Sequence, residues 1–183
     1  MILLTGAAGY LGGHVLTELR RNEIPVVGLS RRDISGFERC DLLNRYELHN
    51  LIDRLNPSCV VHCAWETPQE EKDYDDTAAS KRAIDILDNL IATSNVPIHF
   101  VSSMTVYGLQ NSSVIRKEDD AGKPETMYGR AKWAAEMRLR ANERVGFTIR
   151  LPGLFGGGRC RGLVWNLMEA ARHGGEFRLP KNP

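Results

Sequence analysis

Residues 1–14, M-I-L-L-T-G-A-A-G-Y-L-G-G-H, constrain the fold more than any other stretch. The apolar run at 2–4 predicts a buried strand. It breaks at Thr5 into a turn carrying Gly6, Gly9 and Gly12, and apolar residues then recur at helical spacing over 10–21. Strand, glycine turn and helix N-terminus in that order can build an anion site. Glycine lets the backbone turn tightly and lets a phosphate come close. The unpaired N–H groups and the dipole of the first helical turn favour negative charge. The N–H groups of Tyr10 and Leu11 are expected to face it. The spacing G-x-x-G-x-x-G differs from the G-x-G-x-x-G dinucleotide fingerprint. Over these residues alone, a plain strand-to-helix turn with one glycine kept for packing fits equally well.

The rest of the chain continues the alternation. Strands are expected at 2–4, 26–29, 37–40, 59–63, 98–101 and 147–151, and helices at 10–21, 44–55, 75–94, 128–143 and 163–171. This order predicts a parallel sheet covered on both faces, doubly wound by right-handed crossovers. Ligands of such sheets bind at the carboxyl ends of the strands. Candidate functional residues are therefore those just after each strand.

A chain of 183 residues can bury one sizeable core. Its net charge of +1, with scattered lysines and arginines, gives no electrostatic footprint for nucleic acid or an anionic membrane. No apolar run has membrane-spanning length, and strand one starts without a leader pattern, so a cytoplasmic location is expected. Cys40, Cys59, Cys63 and Cys160 read as reduced, mostly buried small hydrophobes. Cys59 and Cys63 flank His62 at a strand spacing that chelates poorly, so no metal site is expected. His62 has no obvious partner and reads as structural.

After strand two, an NAD site places an acid to bind the ribose 2′-hydroxyl. Here Arg31 and Arg32 come first, before Asp33. Their charge and fork geometry suit the 2′-phosphate of NADP; ordinary surface arginines are the alternative. Asp41 could accept a hydrogen bond from an adenine amino group or belong to the start of the next helix, where Asn44 and Glu47 resemble a capping box. Ala64 is small enough for backbone to approach a ligand. The acidic run over 70–76 suits a solvated loop and a helix start. Hydroxyl residues gather at 102–105, and the polar stretch 111–124 reads as a loop over the site. Tyr128 and Lys132 are four apart and share a helix face. Lowering a phenol from about 10 to about 7 takes ~4 kcal/mol. Lys132 and a nicotinamide positive charge are expected to supply it; a surface tyrosine with a helical neighbour is the bland alternative.

Six stretches now line up: T-G-A-A-G-Y-L-G at 5–12, C-D-L at 40–42, H-C-A at 62–64, S-S-M-T-V-Y-G at 102–108, Y-G-R-A-K at 128–132 and R-L-P-G-L-F-G at 150–156. Together, in this order and across nearly the whole chain, they resemble the extended short-chain dehydrogenase/reductase family in its nucleotide-sugar epimerase/dehydratase branch. The resemblance implies a Rossmann-like α/β sheet holding NAD or NADP. It implies that Gly6, Gly9 and Gly12 shape the pyrophosphate turn, that Asp41 and Leu42 lie against the adenine, that Ala64 runs along the cofactor, and that Pro152 and Gly153 sit near the nicotinamide. Ser103 matches the catalytic hydroxyl, Tyr128 the base, and Lys132 its partner, which also binds the nicotinamide ribose. Tyr128 would move the proton of a sugar hydroxyl while Ser103 bonds the same oxygen.

Three departures qualify the match. Thr77 and Ser80-Lys81 replace an Asn and a Gly-Thr common in the family. Met104 and Thr105 stand where dehydratases carry Asp-Glu, which favours an epimerase or reductase. Family members also continue well beyond R-L-P-G-L-F-G. The expected organisation is therefore an NAD(P)-binding domain over 1–156 and, over 157–183, the start of a substrate domain most of which is absent. The resemblance implies a sugar-nucleotide substrate and a homodimer through a helix bundle made by the 75–94 and 128–143 helices. The alternatives are an NADPH-dependent keto-sugar or carbonyl reductase and a non-catalytic NAD(P)-binding sensor or interaction protein. The loop 109–124 and the turn 156–158 are expected to order when ligand binds.

Overall fold

Leu3 and Leu4 are neighbours in the first strand and both are completely buried. Successive strand residues point to opposite faces, so this strand is covered on both sides, as a parallel sheet requires. The computed structural model describes residues 1–108 and 115–174. Its strands are β1 (Ile2–Thr5), β2 (Val26–Ser30), β3 (Glu38–Arg39), β4 (Cys59–His62), β5 (Ile98–Ser103) and β6 (Val145–Leu151). They form one sheet in the order β3-β2-β1-β4-β5-β6, every neighbouring pair parallel. The helices are α1 (Tyr10–Arg21), α2 (Arg45–Leu55), α3 (Thr77–Thr93), α4 (Met127–Ala141) and α5 (Leu163–His173). The order reverses between β1 and β4, which opens the ligand crevice of a doubly wound sheet at their carboxyl ends.

One core joins Leu3, Val60, Ile98 and Phe100 of the sheet to Leu48, Leu51 and Ile52 of α2, Leu87 and Leu90 of α3, and Ala135 and Leu139 of α4. The other face is smaller: Leu4, Ala7 and Leu16, with Val15, Val26, Phe37, Val61 and Cys63 packed against them. Each fully buried Leu, Ile or Phe contributes roughly 1.5–3 kcal/mol.

Helix starts follow local chemistry. Asn44 Oδ1 accepts from the Glu47 N–H (3.2 Å), Asp76 Oδ1 from Ala79 (2.9 Å) and Thr126 Oγ1 from Gly129 (3.1 Å). Within the acidic run, residues Glu71–Asp75 form a 3₁₀ turn before α3. The third strand is shorter than expected, because Phe37 turns under Gly28 to cover the smaller core. All four cysteines are free, but against the expectation that they are mostly buried, Cys40 alone is buried; Cys59 and Cys63 are half-buried and Cys160 is exposed. No helix among the described residues is long and apolar enough to cross a membrane. Part of the expected loop, residues 109–114, and the end of the expected second unit, 175–183, lie outside the described residues.

Candidate active site

The glycine turn sits at the switch point. Gly6 has φ +68°, and a Cβ there would lie 2.6 Å from the Ala64 nitrogen. A Cβ on Gly12 would lie 2.1 Å from the Gly6 oxygen. Only glycine lets β1, α1 and the end of β4 meet this closely. The Gly9 N–H donates to Gly6 O (2.9 Å) and closes the turn. Gly9 has no side chain to cap α1, which leaves the first-turn N–H groups, those of Tyr10 and Leu11 among them, open to an external anion. A phosphate-bearing cofactor fits this cradle, whose close backbone approach depends on the absence of a Cβ at Gly6 and Gly12.

Thr5 fastens the cradle to β4. Its Oγ1 lies 2.7 Å from His62 Nδ1 and accepts from the Ala64 N–H at 3.3 Å. His62 therefore has a partner that sequence inspection missed, fifty-seven residues away. Burial, aided by the nearby Lys132 charge, pushes its imidazole down to about 3, so it stays neutral.

At the end of β2, Arg31 and Arg32 are exposed, and the Arg32 N–H donates to Ser30 Oγ (3.1 Å). Asp41 Oδ1 accepts from the Leu43 N–H (3.1 Å), shaping the approach to α2. Leu42 is buried, and its carbonyl accepts from Asn89 of α3 (3.0 Å).

Ser103 ends β5. Its Oγ accepts from Thr105 N–H (3.2 Å) and Thr105 Oγ1 (3.0 Å), and α4, which carries Tyr128 on its first turn, packs against the turn after Ser103. Lys132 differs from expectation. It is 2% exposed, donates to Val101 O (2.7 Å), and lies 3.9 Å from the Trp65 ring centre, 4.7 Å from Phe100 and 5.8 Å from Tyr128. Burial holds its ammonium well below the usual lysine range. Tyr128 is not acidified here. Burial and neighbouring Tyr74 push it up to about 12, against a lowering by nearby Ser103 and the Arg159 charge. Desolvation outweighs the cations because the phenol faces the protein interior more than it faces charge.

Beneath this pair lies a buried network. Glu136, 1% exposed, accepts from Ser102 Oγ (2.6 Å) and from Arg150 Nη2 (2.8 Å) and Nε. Arg150 also donates to Glu118 O (3.1 Å), and its guanidinium lies 4.7 Å from the Tyr107 ring centre. The spacing Tyr128, Lys132, Glu136 carries a legible signal, three positions on one helix face; Arg150 carries one only as the first residue of R-L-P-G-L-F-G, and Trp65 carries none. A cavity of about 400 Å³ opens between Trp65, Asp73, Asp76, Ser80 and Tyr128, with Glu66 on its wall held by Arg82 at 2.6 Å. Pro152 and Gly153 follow β6 at the same edge of the sheet; both are exposed.

The family model described as the RmlD substrate binding domain matches residues 1–181. Methionine adenosyltransferase 2 subunit beta of Bos taurus is 31% identical over 159 residues, spanning 85% of this chain and 47% of that protein. The dTDP-4-dehydro-6-deoxyglucose reductase of Escherichia coli is 32% identical over 171 residues, spanning 82% and 54%. The chain thus spans about half the length of the curated relatives it matches. Among solved structures, MoeE5 in complex with UDP-glucuronic acid and NAD superposes with a TM-score of 0.74 at 29% identity, covering 92% of this chain and 60% of that one. Sequence order, sheet order and the match over 1–181 agree: the chain belongs to the RmlD substrate-binding-domain family, within the extended short-chain dehydrogenase/reductases.

Proposed function

We propose that this chain carries the cofactor-binding and catalytic part of an NAD(P)-dependent epimerase or reductase of sugar nucleotides. The observation that carries the reading is the glycine cradle at the carboxyl edge of the sheet, where Ser103 ends β5 and α4, with Tyr128 on its first turn, packs against the turn that follows. The name of the Escherichia coli relative and the ligands of MoeE5 support the same chemistry. In this reading Gly6, Gly9, Gly12 and the N–H groups of Tyr10 and Leu11 receive the pyrophosphate. Asp41 and Leu42 border the adenine, Ala64 and Pro152 the path to the nicotinamide, and Lys132 turns from Val101 O to the ribose. Arg31 and Arg32 favour NADP over NAD. The bound nicotinamide supplies hydride exchange. Tyr128 passes a proton to or from the substrate oxygen, and Ser103 hydrogen-bonds that oxygen. A phenol near 12 is protonated at neutral pH, which suits the reductive direction, where Tyr128 gives its proton to a carbonyl oxygen. Two copies would pair through α3 and α4.

A second reading has its own support. The bovine relative is named as a subunit, and Lys132 is walled in by Trp65 and Phe100. A nucleotide-binding regulatory subunit would keep the fold without turnover. Calorimetric titration with NAD⁺ and NADP⁺, beside Lys132→Ala, tests the first step: one cofactor should bind tightly and the variant more weakly. Binding with neither NADPH oxidation by a nucleotide-linked keto-sugar nor epimerisation of a nucleotide sugar would favour the subunit reading. No binding of either cofactor would overturn both.

A further inference from the structure

After β6 the chain folds back over the first turn of α1. Gly156, Gly157 and Gly158 have φ of +85°, +52° and +78°, a left-handed run that other residues adopt only with strain. The turn is pinned to α1. Tyr10 Oη donates to Gly156 O (2.9 Å) and, more weakly, to Phe155 O (3.4 Å). A Cβ on Gly157 would lie 2.7 Å from His14 Nε2, and the His14 ring meets Tyr10 edge-on at 4.9 Å. The Arg159 N–H closes the turn on Gly156 O (2.9 Å).

This path brings the Arg159 guanidinium to 5.0 Å from the Tyr10 ring centre, on the residue whose N–H opens α1. Its Nε is buried and has no hydrogen-bond partner among the described residues. No carboxylate among the described residues pairs with it. A cation held beside a helix N-terminus opposes the helix dipole, and a buried N–H without an acceptor adds to the cost. An anion between the two removes both penalties, because it accepts from the helix N–H groups and from the guanidinium fork.

We infer that Arg159 is a ligand for the phosphate of the nucleotide bound at the glycine turn. The inference rests on the cofactor reading above and adds a contact from the segment after β6. Calorimetry of the full chain with NAD⁺ and with NADP⁺, at low and high salt, for wild type, Arg159→Gln and Arg159→Lys, tests it. Arg159→Gln should bind at least about tenfold more weakly at low salt and lose part of the salt dependence, because a charge-assisted contact is screened by ions. Arg159→Lys should recover part of the affinity. Equal affinity of Arg159→Gln and wild type would overturn the inference. So would a loss that Arg159→Lys does not relieve and that leaves the salt dependence unchanged, since that marks a packing role. If wild type bound no NAD⁺ or NADP⁺, the cofactor reading itself would fall.

Discussion

α4 and α5 relate pattern to burial in opposite ways. α4 has apolar residues scattered around its circumference, yet it buries Gly129, Ala131, Lys132, Ala135, Glu136 and Leu139. α5 carries a clean apolar stripe and buries nothing: Leu163, Val164, Leu167 and Met168 are 37–50% exposed. On neighbouring β6, Phe147 and Ile149 are exposed as well. An apolar stripe says which side of a helix favours burial. What is buried depends on the neighbours. α4 lies in a crowded place, against α3, β5 and the turn after Ser103, where small residues allow close approach and two charges find partners.

The largest expected break in this comparison is at Glu136. Glu136→Ala leaves Arg150, whose side chain is 9% exposed, and Ser102 without their acceptor. Urea unfolding should show a loss of ~3–5 kcal/mol, the usual result of removing one partner of a buried pair. Lys132→Met should act the other way. Burial lowers the lysine's proton affinity in the fold, so between its folded value and the usual lysine range the unfolded chain binds more protons, and stability rises with pH. Replacing it should stabilise the chain at neutral pH, read as a higher urea midpoint, and flatten that rise. A destabilised Lys132→Met variant would mean that its contacts to Val101 O and Trp65 outweigh desolvation.

The α4 charge also reaches His62, held at about 3 against an ordinary 6.5. Between these values the unfolded chain binds a proton that the folded one refuses. Stability should therefore fall as pH drops from 6.5 towards 3, by ~1.4 kcal/mol per unit at most, and His62→Asn should shed that slope. The smallest effect belongs to α5. Leu167→Ser should change the stability of this chain by less than ~0.5 kcal/mol; a larger loss would show that α5 packs in solution against something the described residues do not include.

The doubly wound sheet was legible from residue order because each element has its own period: short β-rich runs, helical spacing, and glycines where the chain must turn. Gly6 and Gly12 were legible for the same reason, since a missing Cβ is a local signal with a local cause. The nearness of Tyr128 to Ser103 was legible only through the resemblance of six ordered motifs. Spacing along one helix cannot say what a strand twenty-five residues earlier presents to it.

The tertiary structure decided the electrostatics. Tyr128 and Lys132 share a helix face as their spacing requires. The lysine's charge is nevertheless spent on Val101 O and the Trp65 ring, and burial sets the phenol high. His62 gained Thr5 as a partner because parallel pairing sets Thr5 beside it. Arg159 reached the Tyr10 ring because three left-handed glycines fold the chain back there. Composition and periodicity act along the chain and are readable from it. Desolvation and charge pairing depend on which distant atoms become neighbours, and only the folded chain determines that.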